Sequence, residues 1–297
     1  MSDPVKPLLS ASNFLQFARL LTAIENFGPR SLQYEVLLNP QKMACRIGIT
    51  GPPGAGKSTL VGGLIQSLRA HNLSVGVIAV DPSSPFSKGA ILGDRIRYSE
   101  HFSDDKVFIR SLGTRGSLGG LSASAYLMLR AFDHYGFDVV LVETVGVGQT
   151  ELEVINVADF TTVVLVPESG DSIQAMKAGL LEIADLYVVN KADRPGAHSL
   201  VNEIKANLEL GANHNATGLT PSVLTTVATE NKGVADLASH FLNAMKTADF
   251  KKRRHSPRRL QAEATALLRA NLENKIELLS SNIQTTEDLK NLLLSEN

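Results

Sequence analysis

The chain of 297 residues has one cysteine, no tryptophan and no apolar run approaching the length of a membrane span. The single thiol, Cys45, excludes an internal disulfide and any cysteine-based zinc site. The histidines, at positions 71, 101, 134, 198, 214, 240 and 255, show no paired ligand spacing, which leaves a histidine metal centre without support. Excess charge of either sign is also missing. With 29 Lys and Arg against 30 Asp and Glu, the formal net charge is −1, so neither nucleic acid nor a membrane surface is expected as a partner. The N-terminus Met-Ser-Asp-Pro lacks a secretory apolar segment, and a cytoplasmic location is the expectation. What remains is 43% hydrophobic and 20% charged, enough to bury a full α/β core with residues left for extensions.

Cys45-Arg-Ile-Gly-Ile-Thr50 reads as a short buried strand, with Cys45 a small core thiol at its start. It runs into Gly51-Pro-Pro-Gly-Ala-Gly-Lys-Ser-Thr59. The spacing of Gly51, Gly56, Lys57 and Ser58 is that of a phosphate-binding loop. Glycines permit the dihedrals by which backbone N–H groups close around the α- and β-phosphates. Lys57 is placed to reach the β- and γ-phosphates, and the Ser58 hydroxyl to ligate Mg²⁺. A helix from Lys57 to about Ala70 adds its positive N-terminal dipole.

Upstream, Phe14, Leu15, Phe17, Ala18, Leu21 and Ile24 recur at helical spacing until Gly28-Pro29, and a second short helix is expected over Leu32 to Leu38. Downstream, Val75 to Val80 forms a second strand ending at Asp81, and a polar Gly/Pro/Ser-rich stretch runs to Asp94. Asp81 and Asp94 are candidates for holding Mg²⁺ or its waters, against the alternative of turn or helix caps. Val107 to Arg110 is a third strand, followed by a flexible loop with Arg115 and a helix from about Leu121 to His134. Phe137 to Val142 is the fourth. It delivers Glu143-Thr-Val-Gly146, in which an acidic residue closing a buried strand matches the Mg²⁺ position of P-loop NTPases and the Gly146 N–H senses the γ-phosphate. Glu143 stands where Asp is usual, which leaves open whether it meets the metal directly or through water.

Thr161 to Val166 and Leu186 to Val189 are strands five and six. The latter presents Asn190-Lys-Ala-Asp193, which chooses the base. The Asp193 carboxylate can accept from guanine N1–H and N2–H₂, a donor pair adenine lacks; Lys191 can lie along the ring, and Asn190 can tie this loop to the phosphate loop. A last strand, Ser222 to Thr226, leads to Val227 and Ala228, where a backbone N–H can touch the base. The remainder reads as helical: Val234 to Met245, a basic run Lys251 to Arg259 expected to be a solvated junction, and Ala262 to Leu279.

The motifs at Gly51–Thr59, Val80–Ser84, Ile91–Asp94, Arg115–Gly120, Glu143–Gln149, Gln174–Gly179 and Asn190–Asp193 together resemble the methylmalonyl-CoA mutase-associated GTPases of the MeaB or ArgK type. The resemblance covers the chain from about Leu21 to Met245. It implies a mostly parallel α/β P-loop fold that binds GTP or GDP with Mg²⁺. The implied role is that of a GTPase chaperone that protects an adenosylcobalamin-dependent acyl-CoA mutase and gates its cofactor loading. By the same resemblance Asp81, Asp94 and Glu143 fall on Mg²⁺ and catalytic positions, and Lys177 falls in a mobile loop coupling nucleotide state to the mutase. The family dimerises through C-terminal helices. The expected organisation is therefore a helical extension over 1–44, a GTPase domain over 45–247 and a helical, candidate dimerising arm over 248–297.

Two other readings compete. A metal-insertion GTPase of the nickel-enzyme type would need Cys or His ligands near the switch loops, which this chain lacks. A kinase or transport ATPase would need an adenine site, against which Asn190-Lys-Ala-Asp193 argues. Val147 stands where many small GTPases have a water-orienting Gln, and Gln149 lies further along, so slow hydrolysis without a partner is expected.

Overall fold

Apolar runs separated by helices are what a parallel sheet covered on both faces requires, and the computed structural model has that arrangement. It describes residues 11–27, 35–40, 42–81, 98–113, 123–144, 150–168, 184–209, 221–281, 283, 285–286 and 290. Seven strands, β1 (Cys45–Thr50), β2 (Val75–Asp81), β3 (Val107–Gly113), β4 (Val139–Glu143), β5 (Phe160–Leu165), β6 (Leu186–Val189) and β7 (Ser222–Thr225), form one sheet in the order β3-β2-β4-β1-β5-β6-β7. Every pairing is parallel. β1 is central, with β2 to β4 on one side and β5 to β7 on the other. The carboxyl end of β1 therefore opens at the point where the connections diverge, the place where open α/β sheets bind ligands.

Both faces of β1, β4, β5 and β6 are buried, the edge strands β3 and β7 are less so, and alternate residues serve different layers. Val75 and Val77 of β2, with Leu141 of β4, face a core shared with α3 (Lys57–Ala70) and, through Val234, Leu237 and Phe241, with a later helix. Ile78 and Val80 of β2, with Val140 and Val142 of β4, face the other core. There Phe17 of α1 (Ala11–Phe27) meets Phe108, Phe132 and Phe137 at centroid distances of 4.6, 4.9 and 5.6 Å. A short α2 (Glu35–Leu38), α4 (Ala123–His134) and α5 (Thr150–Val157) share this layer. Val163, Leu165, Tyr187 and Val189 pack against α6 (Ala197–Glu209) in a third cluster. α5 and α6 are not among the helices expected from the sequence; α5 is short and α6 buries Ala197, Leu200 and Ile204 along its length.

The chain finishes with α7 (Val234–Ala244), α8 (Ala248–Arg253) and α9 (Pro257–Ser280). α9 starts earlier than its apolar pattern suggests. Ser256 accepts the Arg259 N–H as N-cap and Pro257 occupies the first turn, where its missing N–H costs nothing. Among the described residues no helix is long and apolar enough to cross a membrane.

The basic run forms a helix junction that is solvated only in part: Lys252, His255 and Arg258 are exposed, whereas Arg253, Arg254 and Arg259 turn inward. Arg259 is 6% exposed and its Nη1 donates to Asp159 Oδ1 at 2.5 Å. Arg253 donates to Asp185 at 2.7 Å, and Arg254 donates to the Met43 carbonyl at 3.1 Å. Asp159 also accepts the Arg46 backbone N–H at 2.9 Å, and Arg46 pairs with buried Asp133. One turn further along α9, Glu263 holds Arg130 of α4 through two bonds of 2.8 and 2.7 Å. Asp159 and Asp185 immediately precede β5 and β6, so these arginines clamp the C-terminal helices to the amino edge of the sheet. Burial pushes the Asp159 carboxyl up, and it pushes the Arg259 guanidinium, beside Arg46, down to about 10. Both partners move toward neutrality because desolvation outweighs their attraction, yet Arg259 stays protonated at neutral pH. Cys45 lies next to this cluster. Burial raises its thiol well above the usual range, which makes it the inert core residue expected.

Candidate functional site

β1 ends at Thr50, and the chain turns through Gly51 at φ 140° and Gly56 at φ 84° before α3 begins at Lys57. A Cβ at Gly51 would stand 2.1 Å from the Val164 carbonyl, and one at Gly56 would stand 2.4 Å from Asn190 Nδ2. Neither position admits a side chain. Gly56 caps α3 without a side-chain hydrogen bond, so the first N–H groups of the helix are left to a ligand or to solvent. Pro52 and Ala55 are buried, while Pro53, Gly54 and Thr59 are exposed along the rim. The Lys57 side chain is 6% exposed; its Nζ crosses the loop and donates to the Gly51 and Pro52 carbonyls at 2.7 and 3.0 Å.

The second group comes from β4. Sheet register sets Glu143 beside Ile49 of β1 and Ala79 of β2, just below the phosphate loop. Glu143 is 6% exposed, and Ser58 donates its hydroxyl to Oε1 at 2.6 Å. Tyr98 donates its phenol to Oε2. Thr144 follows, and its hydroxyl donates to Thr50 at 2.9 Å while its N–H donates to the Ile49 carbonyl at 3.0 Å. Of the four candidate metal ligands, Ser58 and Glu143 are thus brought into contact. Asp81 ends β2 on the same edge, paired in register with Gly113, and its side chain lies outside the description. Asp94, Arg115, Gly146, Val147, Gln149 and Lys177 also lie outside the described residues.

The third group comes from β6 and β7. Asn190 is 2% exposed and donates Nδ2 to the Ala55 carbonyl at 2.9 Å. Its Oδ1 accepts from the Thr226 hydroxyl at 3.0 Å and from the Ala228 N–H at 3.1 Å. Lys191 takes a left-handed φ of 55°, and the Ala192 N–H donates to the Thr226 carbonyl at 3.0 Å. Asp193 follows at the exposed surface, close enough to Lys232 for the two charges to interact. Val227 and Lys232 exchange backbone bonds of 3.0 and 3.3 Å, closing the turn that carries Ala228. Lys57, Ser58, Glu143, Asn190, Lys191, Asp193, Val227 and Ala228 thus gather at the carboxyl edge of β1, β4, β6 and β7, on the strand end, the first turn of α3 and the loops that follow β6 and β7.

Sequence reasoning did not find Tyr98, Thr144 or Thr226. Each acts through a partner far away in the chain; Thr144 is an unspecified position inside the Glu143–Gly146 motif, and Tyr98 and Thr226 belong to no spacing pattern that could have marked them.

The comparisons with known proteins agree with this arrangement. Residues 17–281 match the family described as "Methylmalonyl Co-A mutase-associated GTPase MeaB". A Pyrococcus horikoshii protein provisionally named a GTPase is 42% identical over 283 residues, covering 94% of this chain and 88% of that protein. The GTPase ArgK of Escherichia coli is 38% identical over 240 residues, covering 78% and 72%. Among solved structures, a protein described as an LAO/AO transport system kinase superposes with a TM-score of 0.65 at 28% identity, covering 95% of this chain and 89% of that one. The parallel sheet, the phosphate loop and these matches agree on a P-loop GTPase that binds guanine nucleotide. The chain belongs to the methylmalonyl Co-A mutase-associated GTPase MeaB family.

Proposed function

We propose that this protein is a Mg²⁺-dependent GTPase that chaperones an adenosylcobalamin-dependent acyl-CoA mutase of the methylmalonyl-CoA type. The observation that carries the nucleotide part is Asn190, which joins the phosphate loop at Ala55 to the base edge at Ala228. In this reading the N–H groups of Gly51 to Thr59 bind the α- and β-phosphates. Lys57 leaves the Gly51 and Pro52 carbonyls for the β- and γ-phosphates, and Asp193 accepts the guanine N1–H and N2–H₂.

The donors at Ser58 and Glu143 are oxygens held 2.6 Å apart, which suits a hard cation such as Mg²⁺. Ser58, Glu143, Asp81 and Asp94 are the residues proposed to hold it or its waters. When bound, Mg²⁺ supplies neutralisation of charge on the β- and γ-phosphate oxygens. Ser58 directs its hydroxyl oxygen to the ion and its proton to Glu143. Gly146 is assigned the γ-phosphate contact. Val147 cannot orient a water, so turnover by the protein alone is slow and the client completes the site.

The family's association with methylmalonyl-CoA mutase supports the client. A cytoplasmic homodimer accords with α9, where Leu268, Leu272 and Ile276 recur every fourth residue at 69%, 58% and 55% exposure. In light scattering, a dimer that Leu272→Lys converts to monomer supports that arm, and a wild-type monomer at micromolar concentration contradicts it.

Single-turnover GTP hydrolysis with and without the apo-mutase tests the chaperone reading. Slow hydrolysis that the mutase accelerates is the expected result. Fast hydrolysis by the isolated protein, or no change on adding the mutase, overturns partner gating.

A further inference from the structure

Glu143 receives a hydroxyl proton on each carboxylate oxygen, from Ser58 on Oε1 and from Tyr98 on Oε2. The two donors differ in how they are held. Ser58 sits in the first turn of α3 at the site itself, whereas Tyr98 is fully buried, its ring part of the core between the sheet and α3. Packing therefore aims the phenol, and the 3₁₀ turn Ser99–His101 that follows fixes the backbone behind it. A glutamate has one more rotatable bond than the aspartate usual at such a position. A buried donor on Oε2, added to the Ser58 contact on Oε1, narrows the freedom of the carboxylate.

We propose that Tyr98 is a positioning residue of the metal site. It locks Glu143 in the orientation that takes the Ser58 proton, which leaves the Ser58 oxygen lone pairs directed at the cation. In this arrangement Glu143 acts as the partner of a ligand and of the ion's waters, and the extra methylene relative to Asp is what lets it span Ser58 and Tyr98 together. Partners that orient a metal ligand in this way typically alter metal affinity by about ten- to a hundredfold when removed. The proposal rests on the Mg²⁺ reading above.

The test is a Mg²⁺ titration of fluorescent-GDP binding by the wild type and Tyr98→Phe, a variant that keeps the ring in the core. Binding in EDTA serves as the reference for each protein. The wild type should bind more tightly as Mg²⁺ is added. Tyr98→Phe should need about tenfold more Mg²⁺ for half of that gain, with its EDTA affinity unchanged. In a Ser58→Ala background the shift should vanish, because no hydroxyl proton is left to orient. An unchanged Mg²⁺ midpoint overturns the proposal while leaving the metal site standing. Equal weakening in EDTA and Mg²⁺, or a shift that persists in Ser58→Ala, assigns Tyr98 to packing alone and also overturns it. A wild type indifferent to Mg²⁺ overturns the metal reading, and this proposal with it.

Discussion

Asn190 and Ala55 are joined across the floor of the site: the amide donates to the carbonyl at 2.9 Å, while its own oxygen holds the Ala228 N–H at 3.1 Å. A phosphate loop and a base loop that are far apart in sequence are therefore tied together by one side chain. The same amide occupies the space a Cβ on Gly56 would need, so the glycine and the asparagine require each other.

Removing that link should act on both halves of the site. Asn190→Ala leaves the Ala55 carbonyl and the Ala228 N–H without this partner in a buried setting, a loss of about 1–3 kcal/mol in unfolding free energy. GDP affinity should fall by at least tenfold, because the loops are no longer held at a fixed separation. Denaturant unfolding and calorimetric titration measure the two effects; a variant that keeps wild-type GDP affinity would show the loops to be positioned independently.

The arginine clamp gives a different kind of expectation. Asp159 accepts from Arg259 and from the Arg46 backbone in a site that solvent does not reach. Asp159→Ala leaves Arg259 buried beside Arg46 without its carboxylate and should cost about 3–5 kcal/mol. Arg259→Met should cost less, since Asp159 keeps the Arg46 N–H and the methionine fills the space. Chemical denaturation orders the two, and the reverse order would contradict the clamp as described.

Asp138 sets a pH dependence whose sign follows from its surroundings. Burial alone raises its carboxyl, but Lys42 and the hydroxyl and N–H of Ser74 outweigh burial and hold it below the ordinary aspartate value. A carboxyl depressed on folding contributes stability above its unfolded value and loses it as pH falls through the folded one. Asp138→Asn should therefore be less stable than wild type at neutral pH by about 1–2 kcal/mol. The difference should shrink toward zero in the acid range. Melting temperatures of the two proteins from neutral to acid pH test this; a constant difference would place the effect in packing.

Much of the site was legible because its chemistry is local. Gly51 to Ser58 and Asn190 to Asp193 are each a few consecutive residues whose backbone groups and side chains act together, so spacing alone marks them. Glu143 could be read because an acidic residue that closes a buried strand and opens Glu-X-X-Gly, downstream of a phosphate loop, matches the Mg²⁺ position of P-loop NTPases. The strand order could not, since it depends on crossovers whose destinations no local pattern records. Tyr98 reads as an ordinary core residue until folding brings it to Glu143. Likewise the run from Lys251 to Arg259 has the composition of a solvated face, and only the carboxylates at the starts of β5 and β6 turn part of it inward. Helix α5 is short, and its buried residues Val154 and Val157 gain their meaning from the sheet beneath.

The central claim is that this edge of the sheet reads guanine through Asp193. Calorimetric titration of wild type and Asp193→Asn with GDP, ADP and xanthosine diphosphate tests it most directly. The wild type should prefer GDP strongly over ADP. The variant should lose about 1.5–3 kcal/mol of GDP binding, roughly ten- to a hundredfold, and gain xanthosine diphosphate, whose C2 carbonyl accepts from an amide. Unchanged GDP affinity in Asp193→Asn, or a wild type that binds ADP as well as GDP, would contradict the account.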